Sequence, residues 1–275
     1  TISEFWQGSN KDDLEFLFNN IEKNNSKILT NLLVQNLIQF INTPKIYSQE
    51  EFDKIRVQTL IKLGHKKQAV IFLNSINTYD SNKQFYDMIK LNYHFSINDL
   101  TEACSFKEVF NEKIKDNNNL VLKINIFCSF LENKIEEADF LNALLIDIDE
   151  DEYFQKIYYN LRNQVNESVE FDSKSFSNDA LALYSAMLRI GNLPLNEKLL
   201  EYDPINLSLP IILSPASDIS LRLRSAHTAY FLDLFNSESL SALYQSVDFN
   251  IKQLNNSSDS IKKFKNNPEM GMALL

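Results

Sequence analysis

The stretch whose residue types come closest to a chemical site is the acidic run that ends at Glu152. Three aspartates occupy the first, third and fifth positions of a calcium-binding loop: Asp147, Asp149 and Asp151. Such a loop also requires glycine at its sixth position and a bidentate glutamate at its twelfth. Those positions hold Glu152 and Tyr158, so we reject a calcium site. We expect the acids to stabilise the N-terminus of a helix near Tyr153, because negative charge there opposes the helix dipole.

The histidines and cysteines do not form a catalytic or metal-binding motif. His65, His94 and His227 lie far apart, without Cys, Asp or Glu at the spacing of metal ligands. No Gly-x-Ser-x-Gly elbow occurs, and two cysteines with scattered histidines do not define a nucleophile and its base. We therefore predict no catalytic, cofactor-binding or metal-ligating residue, and a protein that is not an enzyme.

The composition restricts the class of protein and its partners. Apolar residues make up 44% of the 275 residues and aromatic residues 12%, which excludes general disorder. The 4 glycines are widely separated, which excludes a phosphate-cradling loop and favours helices over strands. A net charge of -10 without a basic cluster makes nucleic acid and anionic membranes poor partners. No run approaches the ~20 apolar residues of a membrane span, so we predict no direct membrane insertion.

The residues from Ile55 to Ile76 predict two helices joined by a tight turn. Apolar residues recur at three- and four-residue steps on both sides of Gly64, and glycine commonly ends a helix in the left-handed conformation. Ser48 and Glu51 form a capping box that starts the first helix. A helical hairpin cannot bury both of its faces alone, so it needs neighbours of its own kind.

The same hairpin pattern recurs along the chain. In three units an alanine follows the turn residue by five positions: Gly64 and Ala69, Asn98 and Ala103, Asn133 and Ala138. Asparagine is the usual substitute for glycine in the left-handed conformation. The three turn residues are 34 and 35 positions apart, and two later units place their turns at Ile190-Gly191 and Asn236-Ser237.

These turns and spacings resemble tetratricopeptide-like (TPR-like) helical repeats, whose period is 34 residues. In that family a small residue, usually alanine, opens the second helix where the two helices touch. The family's aromatic and Leu-Gly pattern in the first helix is missing here. The resemblance covers roughly residues 50 to 247. It implies an all-α protein, a right-handed α-solenoid of TPR-like helical hairpins.

Cys104 and Cys128 are the disulfide candidates of the chain. In a solenoid they would lie on the second helix of one unit and the first helix of the next, which pack side by side. A bond between them would close a loop of 24 residues. The expected stabilisation is ~3 kcal/mol. The alternative is two free core cysteines, which behave as small buried hydrophobes. A disulfide predicts an oxidising compartment such as a bacterial periplasm, and free thiols predict the cytoplasm.

We divide the sequence into an N-terminal helical pair (1–48), a first group of hairpins (49–165) and a second group with a C-terminal tail (166–275). The absence of an initiator Met, and apolar residues at the end that predict a further helix, suggest a piece of a longer protein.

Stacked hairpins form a curved surface that binds protein segments. We therefore predict a non-catalytic scaffold or structural subunit of a larger assembly, such as a bacterial cell-envelope motor, pilus or secretion apparatus. Its partners would be proteins, in a homo- or hetero-oligomer, without cofactors or nucleic acid. The alternative is the helical superstructure of an envelope enzyme such as a lytic transglycosylase, whose catalytic domain would lie outside these residues.

Overall fold

The computed structural model describes residues 6, 8–21, 26–39, 42–76, 80–107, 119–171, 178–232 and 234–275. All regular secondary structure in these residues is helical, which confirms the predicted all-α class. The chain divides into two compact units, Thr1–Tyr93 (unit 1) and His94–Leu275 (unit 2). Neither predicted division point, after residue 48 or after residue 165, coincides with this boundary. The grouping of hairpins on either side of residue 165 stays a prediction.

The described part of unit 1 contains four α-helices and most of a fifth. They are α1 (Lys11–Asn20), α2 (Lys27–Ile38), α3 (Gln49–Lys62), α4 (Lys66–Ser75) and α5 (Lys83–Ser96), with a 3₁₀ turn at Asp80–Asn82. The capping box predicted for α3 is present, because Ser48 Oγ accepts a bond from Glu51 N and Glu51 Oε2 accepts one from Ser48 N. Helices α1 and α2 lie within residues 1–48, where the sequence predicts a helical pair.

Twelve further helices lie in the described part of unit 2. They are α6 (Leu100–Ser105), α7 (Asn119–Leu131), α8 (Ile135–Ile146), α9 (Glu152–Asn163), α10 (Leu181–Ile190), α11 (Glu197–Tyr202), α12 (Pro204–Ile212), α13 (Ile219–Phe231), α14 (Ser237–Gln245), α15 (Ile251–Asn255), α16 (Ser257–Lys263) and α17 (Pro268–Ala273). Three of these helices, α15, α16 and α17, follow Asn250. No helix in the described ranges combines the length and the apolarity that a bilayer-spanning segment requires.

An aromatic cluster forms the core of unit 1. Trp6 packs against Phe18 and Phe52, with ring centroids 5.4 and 6.2 Å apart. Leu37 of α2 and Leu60 of α3 are completely buried beside these rings. One side of α2 near Leu37 thus packs against α3, and the burial of such apolar side chains is the main favourable term in folding.

A buried arginine in this core, Arg56, caps the C-terminal end of α2. Its Nε donates to the Leu37 carbonyl at 2.6 Å, and another guanidinium nitrogen donates to the Gln39 carbonyl. Asp53 lies 3.2 Å from the guanidinium, and the Phe72 ring centroid lies 4.1 Å from it. Burial lowers the pKa of the Arg56 guanidinium to about 10, although Asp53 opposes this. Arg56 therefore satisfies carbonyls that the end of a helix leaves without partners.

Three hairpins have a residue in the left-handed conformation at the same position of their turns. Gly64, Asn98 and Asn133 have φ values of 86°, 66° and 60°. After each of them, the next N–H donates to the carbonyl five residues earlier: His65 to Leu60, Asp99 to His94, and Lys134 to Ser129. This is the long bond of a Schellman motif. The alanines at position +5 are all completely buried, so the predicted equivalence of these glycine and asparagine turns is confirmed.

The two later turns differ from the prediction in detail, although Gly191 does lie in a turn between two helices. Gly191 has φ −74° and Asn192, at 51°, is the left-handed residue. At Gly191 a Cβ would lie 3.2 Å from the Leu161 side chain on α9, so glycine allows a close approach there. Asn236 is not a turn residue but the N-cap of α14, and its side chain accepts a bond from Ser239 N at 2.7 Å.

Helix α10 lies in the core of unit 2, and its residues Leu181 to Arg189 are all buried. The Arg189 guanidinium donates to the carbonyls of Phe95 and Ser96, so it caps the end of α5. Burial lowers the pKa of this guanidinium to about 10. In a regular repeat array each unit contacts only its neighbours. The Arg189 contacts instead join residues 93 and 94 positions apart.

Candidate interaction surface

The acidic run of the sequence is organised around one buried lysine. Lys123 of α7 is only 2% exposed, and its Nζ lies 2.8 Å from an Asp149 oxygen and 2.5 Å from an Asp151 oxygen. Tyr184 of α10 donates to the same Asp151 oxygen and lies 3.5 Å from Nζ. Lys123 thus joins α7, α10 and the loop before α9, and its charge is compensated by two carboxylates.

Asp151 also begins α9. It is the N-cap residue, and its other carboxylate oxygen accepts a bond from Phe154 N at 2.9 Å. This confirms that the acidic run marks the N-terminus of a helix near Tyr153. Two of the three aspartates in the rejected calcium loop, Asp149 and Asp151, hold a lysine. The described residues contain no group of three or more His, Cys, Asp or Glu side chains placed to bind a metal ion.

The two cysteines are bonded to each other. Cys104 of α6 and Cys128 of α7 have Cα atoms 5.6 Å apart. Cys128 is completely buried and Cys104 is half-buried. The bond lies in the wall of an open cleft of about 690 Å³ between α6, the end of α7 and the start of α8. The bond joins α6 to α7. From the sequence we expect these two helices, the second of one hairpin and the first of the next, to lie side by side.

Lys107 lies at the edge of this cleft. Its Nζ donates to Ser129 Oγ at 2.9 Å and lies 3.7 Å from both Glu132 and Glu137. Glu137 is on the first turn of α8, so Lys107 connects the cleft to that helix. The two glutamates compensate the charge of Lys107, so little unbalanced positive charge remains beside the disulfide.

Helix α8 presents apolar side chains to solvent. Eight of its twelve residues are apolar, but only Ala138 and Leu145 are buried. Phe140 is 64% exposed and Leu144 is 44% exposed, one helical turn apart on the same side. With the exposed residues around them they form what we call the α8 face: Glu136, Phe140, Ala143, Leu144 and Asp147.

The opposite side of α8 is fixed on α9. Asp139 accepts a hydrogen bond from the Tyr158 hydroxyl at 2.8 Å and pairs with Arg162 at 3.0 Å. Asn142 donates to Gln155 at 3.0 Å. Burial, followed by the bond to Asp139, raises the pKa of Tyr158 well above its usual value. The α8 face is therefore held at a fixed angle by a neighbouring helix.

The acidic residues of the α8 face have no ion-pair partners among the described residues. Glu136 and Asp147 flank the apolar pair and form no ion pair there, whereas the nearby Lys107, Lys134 and Arg162 are each bound to a carboxylate. The face is thus an apolar strip with an unbalanced negative border.

The structure does not bring the three histidines together in one site. His65 is buried in the first hairpin turn, His94 lies 3.1 Å from Asp99, and His227 is hydrogen-bonded to Tyr244. Sequence reasoning missed Lys123, although a single charged residue in a helix otherwise almost wholly apolar was an available signal. It also missed the α8 face, because eight apolar residues in twelve predict burial on all sides.

No protein-family model, curated protein or solved structure matches this chain.

Proposed function

We propose that this chain is a non-catalytic scaffold that binds other proteins through the surface of its stacked hairpins. The observation that carries the proposal is the α8 face, where Phe140 and Leu144 are exposed on a helix whose other side is fixed. Contiguous apolar surface that a folded protein leaves exposed commonly marks a protein-binding site. A fixed helix also loses little conformational freedom when a partner binds.

The similarity of the hairpins supports the finer proposal of a right-handed α-solenoid. Three hairpins share a left-handed turn residue and a buried alanine five positions later. Units with the same turn and the same close helix contact can stack in the same way, and such stacks provide extended binding surfaces.

The disulfide supports a location in an oxidising compartment, which we propose is the bacterial periplasm. Structural disulfides persist there and are rare in the cytosol. A scaffold with acidic exposed residues in that compartment would serve as a subunit of a cell-envelope assembly, such as a motor, a pilus or a secretion apparatus.

Isolation of the full-length protein from its own cells tests the scaffold. After gentle lysis with a thiol-blocking reagent, native mass spectrometry should find the protein bound to another protein or to copies of itself at a fixed ratio. A monomer without a stoichiometric partner would contradict the scaffold. Reaction of both cysteines with the blocking reagent would contradict the oxidising compartment, whether or not a partner is found.

A further inference from the structure

We infer that the α8 face binds a basic amphipathic helix of a partner protein. The inference rests on the proposed scaffold function and specifies the chemistry of the partner. Phe140 and Leu144 would contact the apolar stripe of that helix. Glu136 and Asp147 would pair with lysine or arginine side chains at the edges of the stripe.

The shape of the α8 face fits a helix. The face runs along a regular helix of twelve residues, about 18 Å at 1.5 Å per residue, and its large apolar residues Phe140 and Leu144 lie one turn apart near the middle. An amphipathic helix presents side chains at the same three- and four-residue steps, so the two rows can interdigitate. A narrow strip on one convex helix matches a second helix better than a broad flat surface does.

The charges around the face identify a basic partner. Glu136 and Asp147 on the face, and Glu150 beyond the end of α8, form no ion pair with any residue that the structure describes. A second copy of this chain placed symmetrically on the face would bring acids against acids, which costs affinity. A helix with lysine or arginine beside its stripe would instead neutralise them.

The probe that tests the inference is a synthetic helical peptide. A fluorescently labelled peptide of about 20 residues exceeds the length below which isolated helices are marginal. It would carry leucines at three- and four-residue steps with lysines at both edges. Two control peptides would have glutamate in place of the lysines, or the same composition with the stripe scrambled. Binding to the 275-residue chain would be measured by fluorescence anisotropy.

Only the basic striped peptide is expected to bind. The double substitution Phe140→Ser and Leu144→Ser should weaken its binding by about tenfold or more, because aromatic and large apolar anchors dominate such contacts. The matched control is Phe231→Ser, since Phe231 is 68% exposed at the end of α13 and lies outside the α8 face. Circular dichroism should show unchanged folding, because both substituted side chains are exposed.

Charge substitutions test the second part of the inference. Glu136→Gln with Asp147→Asn should weaken binding and reduce its dependence on salt, because local opposite charges are screened by ions. Glu167→Gln with Glu201→Gln removes the same net charge from exposed positions elsewhere and should leave binding unchanged.

Four results would overturn the inference. They are no binding of the basic peptide, equal binding of the scrambled peptide, binding insensitive to Phe140→Ser with Leu144→Ser, and self-association that this substitution abolishes. The last result would assign the face to a second copy. If a stoichiometric partner from native cells stays bound to the substituted protein, the scaffold function stands and the α8 inference fails.

Discussion

The buried ion cluster makes a quantitative prediction: Lys123→Met should destabilise unit 2 by about 3 kcal/mol. Removing one partner of a buried ion pair typically costs 3–5 kcal/mol, because the remaining charge is left without compensation. We place the cost at the low end for two reasons. Asp151 keeps its bonds to Phe154 N and the Tyr184 hydroxyl, and the Asp149 side chain is 16% exposed and can reach water.

A compensated variant separates charge from packing. In the triple variant Lys123→Met, Asp149→Asn and Asp151→Asn the cluster has no charge to leave unpaired, and asparagine is as good an N-cap as aspartate. Its stability should return to within about 1 kcal/mol of the wild type, since buried ion pairs are often replaceable by neutral groups at little cost. The matched control is Lys156→Met, at an exposed pair with Glu152 3.6 Å apart, which should cost less than about 1 kcal/mol.

Urea unfolding followed by far-ultraviolet circular dichroism measures these differences. Trp6 is the single tryptophan and lies in the core of unit 1, so its fluorescence reports unit 1 and serves as an internal reference. A decrease of less than about 1 kcal/mol in the free energy of unfolding of Lys123→Met would refute the reasoning, because a buried carboxylate without a compensating charge should cost more than that. A triple variant no more stable than Lys123→Met would show that the lost side-chain packing is the cause, and would refute the electrostatic account.

Three further predictions concern the disulfide, one turn and one tyrosine. Reduction of the Cys104–Cys128 bond should lower the free energy of unfolding by about 3 kcal/mol, from the entropy of closing a loop of 24 residues, measured by urea unfolding with and without reductant. Asn133→Ala should cost about 1 kcal/mol because alanine is strained at φ 60°, whereas Asn133→Gly should not destabilise, measured as a thermal midpoint. The raised pKa of Tyr158 keeps its phenol protonated in the folded state while an unfolded chain ionises near pH 10, so its contribution to stability is complete below about pH 10 and is lost at higher pH. Tyr158→Phe should therefore flatten the alkaline decline seen in urea unfolding at several pH values.

Each of these predictions has a result that contradicts it. For the disulfide, it is an equal effect of reductant on the double variant Cys104→Ser with Cys128→Ser, which has no bond to reduce. For the turn, it is equal stability of the alanine and glycine variants at position 133. For the tyrosine, it is an unchanged alkaline decline in Tyr158→Phe.

The parts of the fold that the sequence could predict depend on local backbone chemistry. The left-handed turns at Gly64, Asn98 and Asn133 follow from residue types that tolerate positive φ, and these residues are close to every atom involved. The same holds for the capping box at Ser48 and for the start of α9 at Asp151. The same rule does not decide between adjacent Gly191 and Asn192, because both residue types tolerate positive φ, and in the structure Asn192 is the left-handed one.

The candidate site depends on partners that are far away in sequence. Lys123 meets Asp151 across 28 residues and Tyr184 across 61, and no spacing rule links such positions. The α8 face could not be predicted for a different reason, which lies in the composition of the helix itself. Its apolar composition is typical of a fully packed helix, and only the arrangement of the other helices shows which side stays uncovered.

The contact between Arg189 and the end of α5 has a consequence for synthesis on the ribosome. The Phe95 and Ser96 carbonyls are translated 94 and 93 residues before the guanidinium that binds them. At about 5–20 residues per second, the nascent chain waits about 5–20 s for this arginine. During that interval the end of α5 has only the bonds of its own turn, from Asn98 N to the Phe95 carbonyl and from Asp99 N to the His94 carbonyl. Unit 2 therefore completes its fold only after α10 has left the exit tunnel, and a chain cut short before residue 189 lacks the bonds that join the end of α5 to α10.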